Sequence, residues 1–175
     1  MVAWYTALQN LMESQAPDFL DIVLPDTQAT VALGAALAGR VAAGDLVLLR
    51  GDLGAGKTTL ARALVQAHLA THGLAEEVPS PTFTLVQTYE SPSLLITHVD
   101  LYRVENASEL REFGLAEALD EGVVLVEWPE RAEAELHRLS ANRLDISLSL
   151  MPEGGHRARL RGWGNWAVRL GELAV

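Results

Sequence analysis

Arg50-Gly-Asp-Leu-Gly-Ala-Gly-Lys-Thr-Thr-Leu60, RGDLGAGKTTL, is the stretch that decides how this chain folds. The apolar run Asp45 to Leu49, DLVLL, leads straight into it, and the helical pattern KTTLARALVQAHLATHG leads out. It holds Gly51, Gly54 and Gly56 and then Lys57; every other one of the 13 lysines and arginines is arginine. Gly51, Gly56, Lys57 and Thr58 satisfy G-x-x-x-x-G-K-[ST], and a strand before with a helix after is the setting this pattern requires. Glycines let successive N–H groups turn inward into a nest for phosphate oxygens. The helix start adds free N–H groups and partial positive charge. The predicted phosphate-binding segment is therefore Leu53, Gly54, Ala55, Gly56, Lys57, Thr58 and Thr59, with Lys57 on the β- and γ-phosphates and the Thr58 hydroxyl on Mg²⁺. A compact ammonium can straddle two phosphates, whereas a guanidinium has a larger head and a fixed fork. The bland alternative, a glycine-rich turn with a surface lysine, leaves the flanks unexplained.

Outward from this loop, strands alternate with helices. FLDIVLPDT reads as an entering strand and turn, and DTQATVALGAALAGRVAAG as a helix with Asp26 or Thr27 as N-cap and Gly44 as its stop. The helix after the phosphate loop stops at Gly73. VPSPTFTLVQTYE begins as a proline-constrained loop and becomes the β-rich FTLVQTYE. SLLITHVDLYR is a strand, ASELREFGLAEALDEG is helical with a break near Gly114, GVVLVEWPE is a strand ending in an acid, and RAEAELHRL is helical. RLDISLSLMPEGGHRARLRGW alternates and turns at Pro152 to Gly155, an antiparallel hairpin. The alternation predicts an α/β domain with a largely parallel sheet: a P-loop NTPase three-layer α/β/α sandwich closed by the hairpin. No repeat, low-complexity tract or linker interrupts it, so residues 21 to 175 are expected to form one domain. Residues 1 to 20 read as an appendage, with Trp4, Leu8, Leu11 and Met12 at helical spacing before Pro17.

A nucleoside-triphosphate site also needs a carboxylate near Mg²⁺, at the end of a strand beside the loop. Asp100 ends LLITHVD and Glu127 ends GVVLVE, so both emerge at the carboxyl edge of the sheet, where open α/β sheets bind ligands. One would hold the metal or its water and the other would orient the attacking water; the residues alone leave the assignment open. The bland reading of either acid is a turn cap. Trp128 is either rim packing or a stacking surface for the base. Thr82, in SPTFT, occupies a loop position from which switch threonines sense a γ-phosphate, with an ordinary loop residue as the alternative. His98 reads as packed or locally hydrogen-bonded, with no metal role.

The 175 residues are 49% apolar and 21% charged, as in ordinary globular proteins. A net charge of −10 argues against general charge-driven binding to nucleic acid or an anionic membrane. The average hides an asymmetry: from Arg138 onward there are six arginines against Asp145, Glu153 and Glu172. The absence of cysteine excludes disulfides and thiolate metal sites. No apolar stretch is long enough to span a bilayer, and the start lacks the pattern of a secretory signal. A cytoplasmic protein with no membrane role is expected.

Taken together, LPDTQATVALGAALA, GDLGAGKTTLARAL, VPSPTFTLVQTYE, HVDLYRVENASELREFGLAEALDEG and VLVEWPER resemble the TsaE (YjeE) family in order and spacing, over roughly residues 22 to 135. That resemblance implies a P-loop ATPase required for threonylcarbamoyl modification of the adenosine beside the tRNA anticodon, using ATP and Mg²⁺. It implies Lys57 and Thr58 on phosphate and Mg²⁺, Thr82 as switch-like threonine, Asp100 as the acid essential for hydrolysis, Glu127 as magnesium ligand, Trp128 as base contact, and Thr27 close to the base. It implies partners of the TsaB and TsaD type, the latter transferring the threonylcarbamoyl group to tRNA, with ATP turnover supporting repeated cycles. The first twenty residues depart from the family pattern. Arg157, Arg159 and Arg161 share one strand face, either a solvated face or a surface for tRNA or a partner.

Three rivals remain at this level. A small P-loop kinase acting on a small-molecule acceptor shares the phosphate loop, and Arg103 and Arg131 are candidate phosphate contacts, but no segment reads as an arginine-bearing lid. A GTPase is disfavoured because N-K-x-D needs a second lysine and Asp100 is followed by LYR rather than a glycine. A non-catalytic nucleotide sensor would keep Lys57 and Thr58 without needing Asp100.

Overall fold

The computed structural model describes residues 19–173; the helical spacing read between Trp4 and Met12 lies outside them. Along the chain come β1 (Leu20–Leu24), α1 (Thr27–Ala38), β2 (Leu46–Arg50), α2 (Lys57–Thr71), β3 (Val86–Glu90), β4 (Leu95–Asp100), a 3-10 segment (Ala107–Phe113), α3 (Leu115–Glu121), β5 (Gly122–Glu127), α4 (Glu133–Leu139), β6 (Arg143–Leu150), β7 (His156–Trp163) and α5 (Asn165–Arg169). The strands form one sheet in the order β1-β7-β6-β2-β5-β4-β3. Its centre, β6-β2-β5-β4, is parallel, while β3 at one edge and β7 and β1 at the other run antiparallel to their neighbours.

Side-chain alternation divides the core into two layers. Val47 and Leu49 of β2, Ile96 of β4 and Val123 and Leu125 of β5 face one side, beneath Leu33 and Leu37 of α1 and Leu60, Leu64 and Val65 of α2. Leu46, Leu48, Val99, Val124 and Val126 face the other, beneath Leu110, Leu115, Leu119 and Leu136. A run buried on both faces explains why DLVLL and GVVLV are continuously apolar rather than alternating. The result is the three-layer α/β/α sandwich of a P-loop NTPase, with the β6–β7 hairpin at its C-terminal end. Among the described residues, no helix is long and apolar enough to cross a membrane.

Three local readings change. Asp26 does cap α1, its carboxylate accepting from the Ala29 N–H at 2.8 Å, but the helix ends at Ala38 instead of running to Gly44. Arg40 and Val41 N–H both donate to Leu37 O, closing the last turn early. Gly44 instead sits in the turn before β2, donating to Leu119 O and Gly122 O with φ of +85°. The strand read from Phe83 begins only at Val86, because Pro81 to Leu85 curl into a turn closed by Leu85 N–H on Pro81 O at 2.7 Å. Helix α5 was not anticipated; it packs Trp166, wholly buried, against the sheet.

Arg169, at the end of α5, explains why this helix docks where it does. Its guanidinium makes a bidentate pair with Asp45, which is 1% exposed, at 2.7 and 2.6 Å, and also reaches Arg40 O. The pair ties the chain's last helix to the residue that introduces β2, the strand carrying the phosphate loop. Removing one partner of a buried pair leaves the other charge uncompensated, which costs about 3 kcal/mol. Arg169→Ala is expected to lose about that much unfolding free energy in urea titration, and an unchanged midpoint would show that the pair holds nothing.

Candidate active site

The loop between β2 and α2 curls because its glycines allow it. Gly51, Gly54 and Gly56 sit at φ of +135°, +81° and +96°. At Gly51 space is limiting as well as angle, since a Cβ there would lie 2.3 Å from Leu148 O on β6. Gly56 precedes α2 with no side-chain cap, so the first N–H groups of the helix stay free to bind an anion. Lys57, buried at the first helical position, folds back over the loop: Nζ donates to Gly51 O at 2.6 Å and Asp52 O at 2.9 Å and lies 3.7 Å from the centre of the Trp128 ring. Burial pushes its pKa down from the usual lysine value, while Glu127, Glu130, Asp100 and Asp52 pull it back up.

Both strand-end acids converge on this loop. Asp100 of β4 and Glu127 of β5 are register partners on adjacent parallel strands, and both are almost fully buried. Thr58 Oγ1 donates to Glu127 Oε2 at 2.8 Å, and His98 Nε2 lies 2.9 Å from Glu127 Oε1. Asp100 Oδ2 accepts from Thr82 Oγ1 at 2.8 Å, and its Oδ1 accepts from Tyr102 N–H at 2.9 Å. Ser80 Oγ lies 2.7 Å from Thr82 Oγ1, extending the chain of hydroxyls. Leu85 and Trp128, the two non-glycine residues with positive φ among those described, flank these groups. Strain of that kind persists only where surroundings over-determine it, and it concentrates at working sites.

The groups surround a cleft of about 270 Å³ lined by Leu53, Gly54, Gly56, Lys57, Thr58, Thr59, Thr82, Asp100, Tyr102, Glu127 and Trp128. Of the residues singled out from sequence, Ala55 is buried and Thr27 is exposed, and neither lines the cleft. Thr27 starts α1 two residues after Pro25; Pro25 lies against Gly155, next to His156, whose Nε2 is 3.4 Å from Gly54 O. Arg103 lies over the Phe83 ring and Arg131 over the Tyr102 ring, outside the lining. Sequence reasoning missed Tyr102, whose ring sits 4.9 Å from that of Trp128, and the partnership of His98 with Glu127. Tyr102's signal was its place two residues past a strand-end acid. The arginines of β7 are partly neutralised, Arg157 and Arg159 both pairing with Asp21.

The model of the family described as "Threonylcarbamoyl adenosine biosynthesis protein TsaE" matches residues 24–158. The chain belongs to the TsaE family. Among its TsaE relatives, a Rickettsia felis protein is 36% identical over 132 residues, 75% of this chain and 74% of the relative. An Aquifex aeolicus protein is 39% identical over 111 residues, 63% of this chain and 77% of the relative. Both are named tRNA threonylcarbamoyladenosine biosynthesis protein TsaE. The crystal structure of Bacillus subtilus YdiB superposes with a TM-score of 0.71 at 28% identity, covering 92% of this chain and 97% of that one. The matched TsaE region includes all the cleft-lining residues, from Leu53 to Trp128.

Because Gly51 is limited by both angle and space, Gly51→Ala forces the loop away from β6. Backbone strain of this order costs about 2 kcal/mol. Thermal melting is expected to fall by several degrees and calorimetric nucleotide affinity by at least tenfold; an unaltered affinity would show that the observed curl is dispensable.

Proposed function

We propose that this TsaE-family chain binds ATP in the cleft and hydrolyses it to ADP and phosphate. Turnover supports formation of the threonylcarbamoyl group on the adenosine beside the tRNA anticodon, in the cytoplasm, together with TsaB- and TsaD-type partners. One observation carries the reading: the phosphate loop, two buried carboxylates and two threonine hydroxyls aimed at those carboxylates meet in a single cleft.

The roles follow from what each group already does. The loop's N–H groups and the free start of α2 receive the phosphates. Lys57 exchanges its contacts with Gly51 O and Asp52 O for β- and γ-phosphate oxygens. Thr58 and Glu127 offer hard oxygen donors 2.8 Å apart. That fits Mg²⁺, which is held by one or two protein groups with phosphate oxygens and waters instead of an all-protein cage. Bound there, Mg²⁺ would supply neutralisation of charge on the phosphates. Asp100, held by Thr82 and the Tyr102 N–H, orients the attacking water and takes its proton. Water oxygen then bonds to the γ-phosphorus as the bond to the bridging oxygen breaks, leaving ADP. Thr82 couples its loop to Asp100 and so to the state of the γ-phosphate. Trp128 and Tyr102 form an aromatic wall for the base, with Thr27 as a further base contact.

Intrinsic turnover is expected to be slow, because phosphoryl transfer depends on positioned charge that a partner can complete. The exposed side chains at the mouth, Leu53 and Phe83, are available for such contact. Tracing labelled γ-phosphate discriminates the kinase alternative: the label should appear in inorganic phosphate, and its transfer to a metabolite would replace this reading.

Asp100→Ala is expected to cut hydrolysis at least a hundredfold while changing nucleotide affinity by less than about threefold; undiminished turnover would remove Asp100 from the mechanism. In a reconstituted reaction with TsaB- and TsaD-type partners, threonylcarbamoyl-adenylate and tRNA, multiple turnovers should require this chain and ATP. Turnover without it would overturn the assignment even if ATP binds.

A further inference from the structure

His98 is an odd residue to find in the middle of a β-strand core. It lies on β4 with no exposed surface, and its Nδ1 has no hydrogen-bond partner among the described residues. An imidazole in that position costs more to bury than a leucine would, unless its remaining polar atom is used. That atom, Nε2, lies 2.9 Å from Glu127 Oε1.

The register explains the reach. His98 is paired with Leu125 across the parallel β4–β5 ladder, so Glu127 is its diagonal neighbour two residues further on. Diagonal neighbours on one sheet face are within reach of long side chains. Ile96, His98 and Asp100 alternate onto the same face as Val123, Leu125 and Glu127, the face on which α2 packs. The two Glu127 oxygens therefore have separate assignments. One is held by His98 from below, and the other is directed at Thr58, where the phosphate-loop helix starts.

We propose that His98 is a positioning residue for the metal site: by anchoring one oxygen of Glu127 it aims the other at the cation that Thr58 and Glu127 share. This rests on the proposed placement of Mg²⁺ at that pair. Without His98 the buried carboxylate loses its only hydrogen-bond partner other than Thr58 among the described residues, and the oxygen facing the cleft is free to rotate away. A side chain that orients a metal-binding group from behind typically changes metal affinity by tenfold to a hundredfold when lost. A plain packing residue changes stability alone.

The test uses the full-length protein, ADP and Mg²⁺, with calorimetric nucleotide affinity measured across a Mg²⁺ titration and melting temperature followed in parallel. In His98→Leu the Mg²⁺ concentration for half-maximal enhancement of ADP binding should rise about tenfold, while ADP affinity without Mg²⁺ stays within about twofold. In His98→Gln, whose amide can donate from a similar place, most of the Mg²⁺ response should return. If His98→Leu does not fold, His98→Gln against His98→Met carries the same comparison. In a Glu127→Ala background, His98→Leu should add no further change in Mg²⁺ response, because there is no carboxylate left to aim. A Mg²⁺ response in His98→Leu equal to wild type, or a His98→Leu shift as large in the Glu127→Ala background as in the wild-type one, would overturn the proposal. If wild type itself shows no Mg²⁺ dependence, or if Glu127→Ala leaves that dependence intact, the placement of the cation fails first, and the proposal with it.

Discussion

Two acids buried side by side set the demand that the surrounding site has to meet. Asp100 and Glu127 occupy paired positions on neighbouring strands, and like charges facing each other across a sheet repel. Each carboxylate is a liability unless its oxygens are occupied and a cation is near. The surroundings supply both: Tyr102 N–H and Thr82 for Asp100, His98 and Thr58 for Glu127, and the Lys57 ammonium above the Trp128 ring. Lys57 is itself held by two carbonyls of the loop. The phosphate loop, the turn around Thr82 and the ends of two strands are thus bound into one electrostatic unit. On the proposed function, a polyphosphate entering this unit with a divalent cation would bring opposing charges together, and the groups that stabilise the present arrangement would be those that rearrange.

The segments adjoining this unit bear its strain. Trp128 follows Glu127 directly and adopts φ of +59°, a conformation a bulky residue avoids. Leu85 does the same at +65° where the Thr82 turn meets β3, and its carbonyl accepts from Asp100 N–H. Both departures place a neighbouring functional group: one turns Trp128 back over Lys57, the other closes the Thr82 loop onto Asp100. Helix α5 acts from further away. Arg169 and Asp45 anchor the base of β2, so the strand that delivers the phosphate loop is fixed at its start by a buried ion pair and at its end by the close approach of Gly51 to Leu148.

Most of the fold was legible because its signals are local. Continuous apolar runs at Leu46–Leu49 and Val123–Val126 marked strands buried on both faces, and Asp26 marked a helix start. The errors arose where tertiary partners decide. Gly44 looked like a helix stop but serves a turn whose acceptors, Leu119 and Gly122, lie far along the chain. FTLVQTYE looked like uninterrupted strand by propensity, yet Phe83 to Leu85 belong to the turn that Leu85 N–H closes on Pro81 O, the turn that also brings the neighbouring Thr82 hydroxyl to Asp100. Helix α5 is only five residues long and owes its place to Trp166 burial and the Arg169 pair, neither of which shows in periodicity.

The site divides in the same way. Lys57, Thr58, Asp100 and Glu127 were readable because a motif or a strand end fixes their position, and all four line the cleft. His98 and Tyr102 were not, because their roles depend on which strands are neighbours. With β4 beside β5, the alternation that places Asp100 at the cleft necessarily places His98 two residues behind it, under Glu127. Had β4 and β5 been separated by another strand, the same sequence would leave His98 as a costly buried imidazole and Glu127 with an unheld oxygen. Sheet order, more than any single motif, is what turns two strand-end acids into one site.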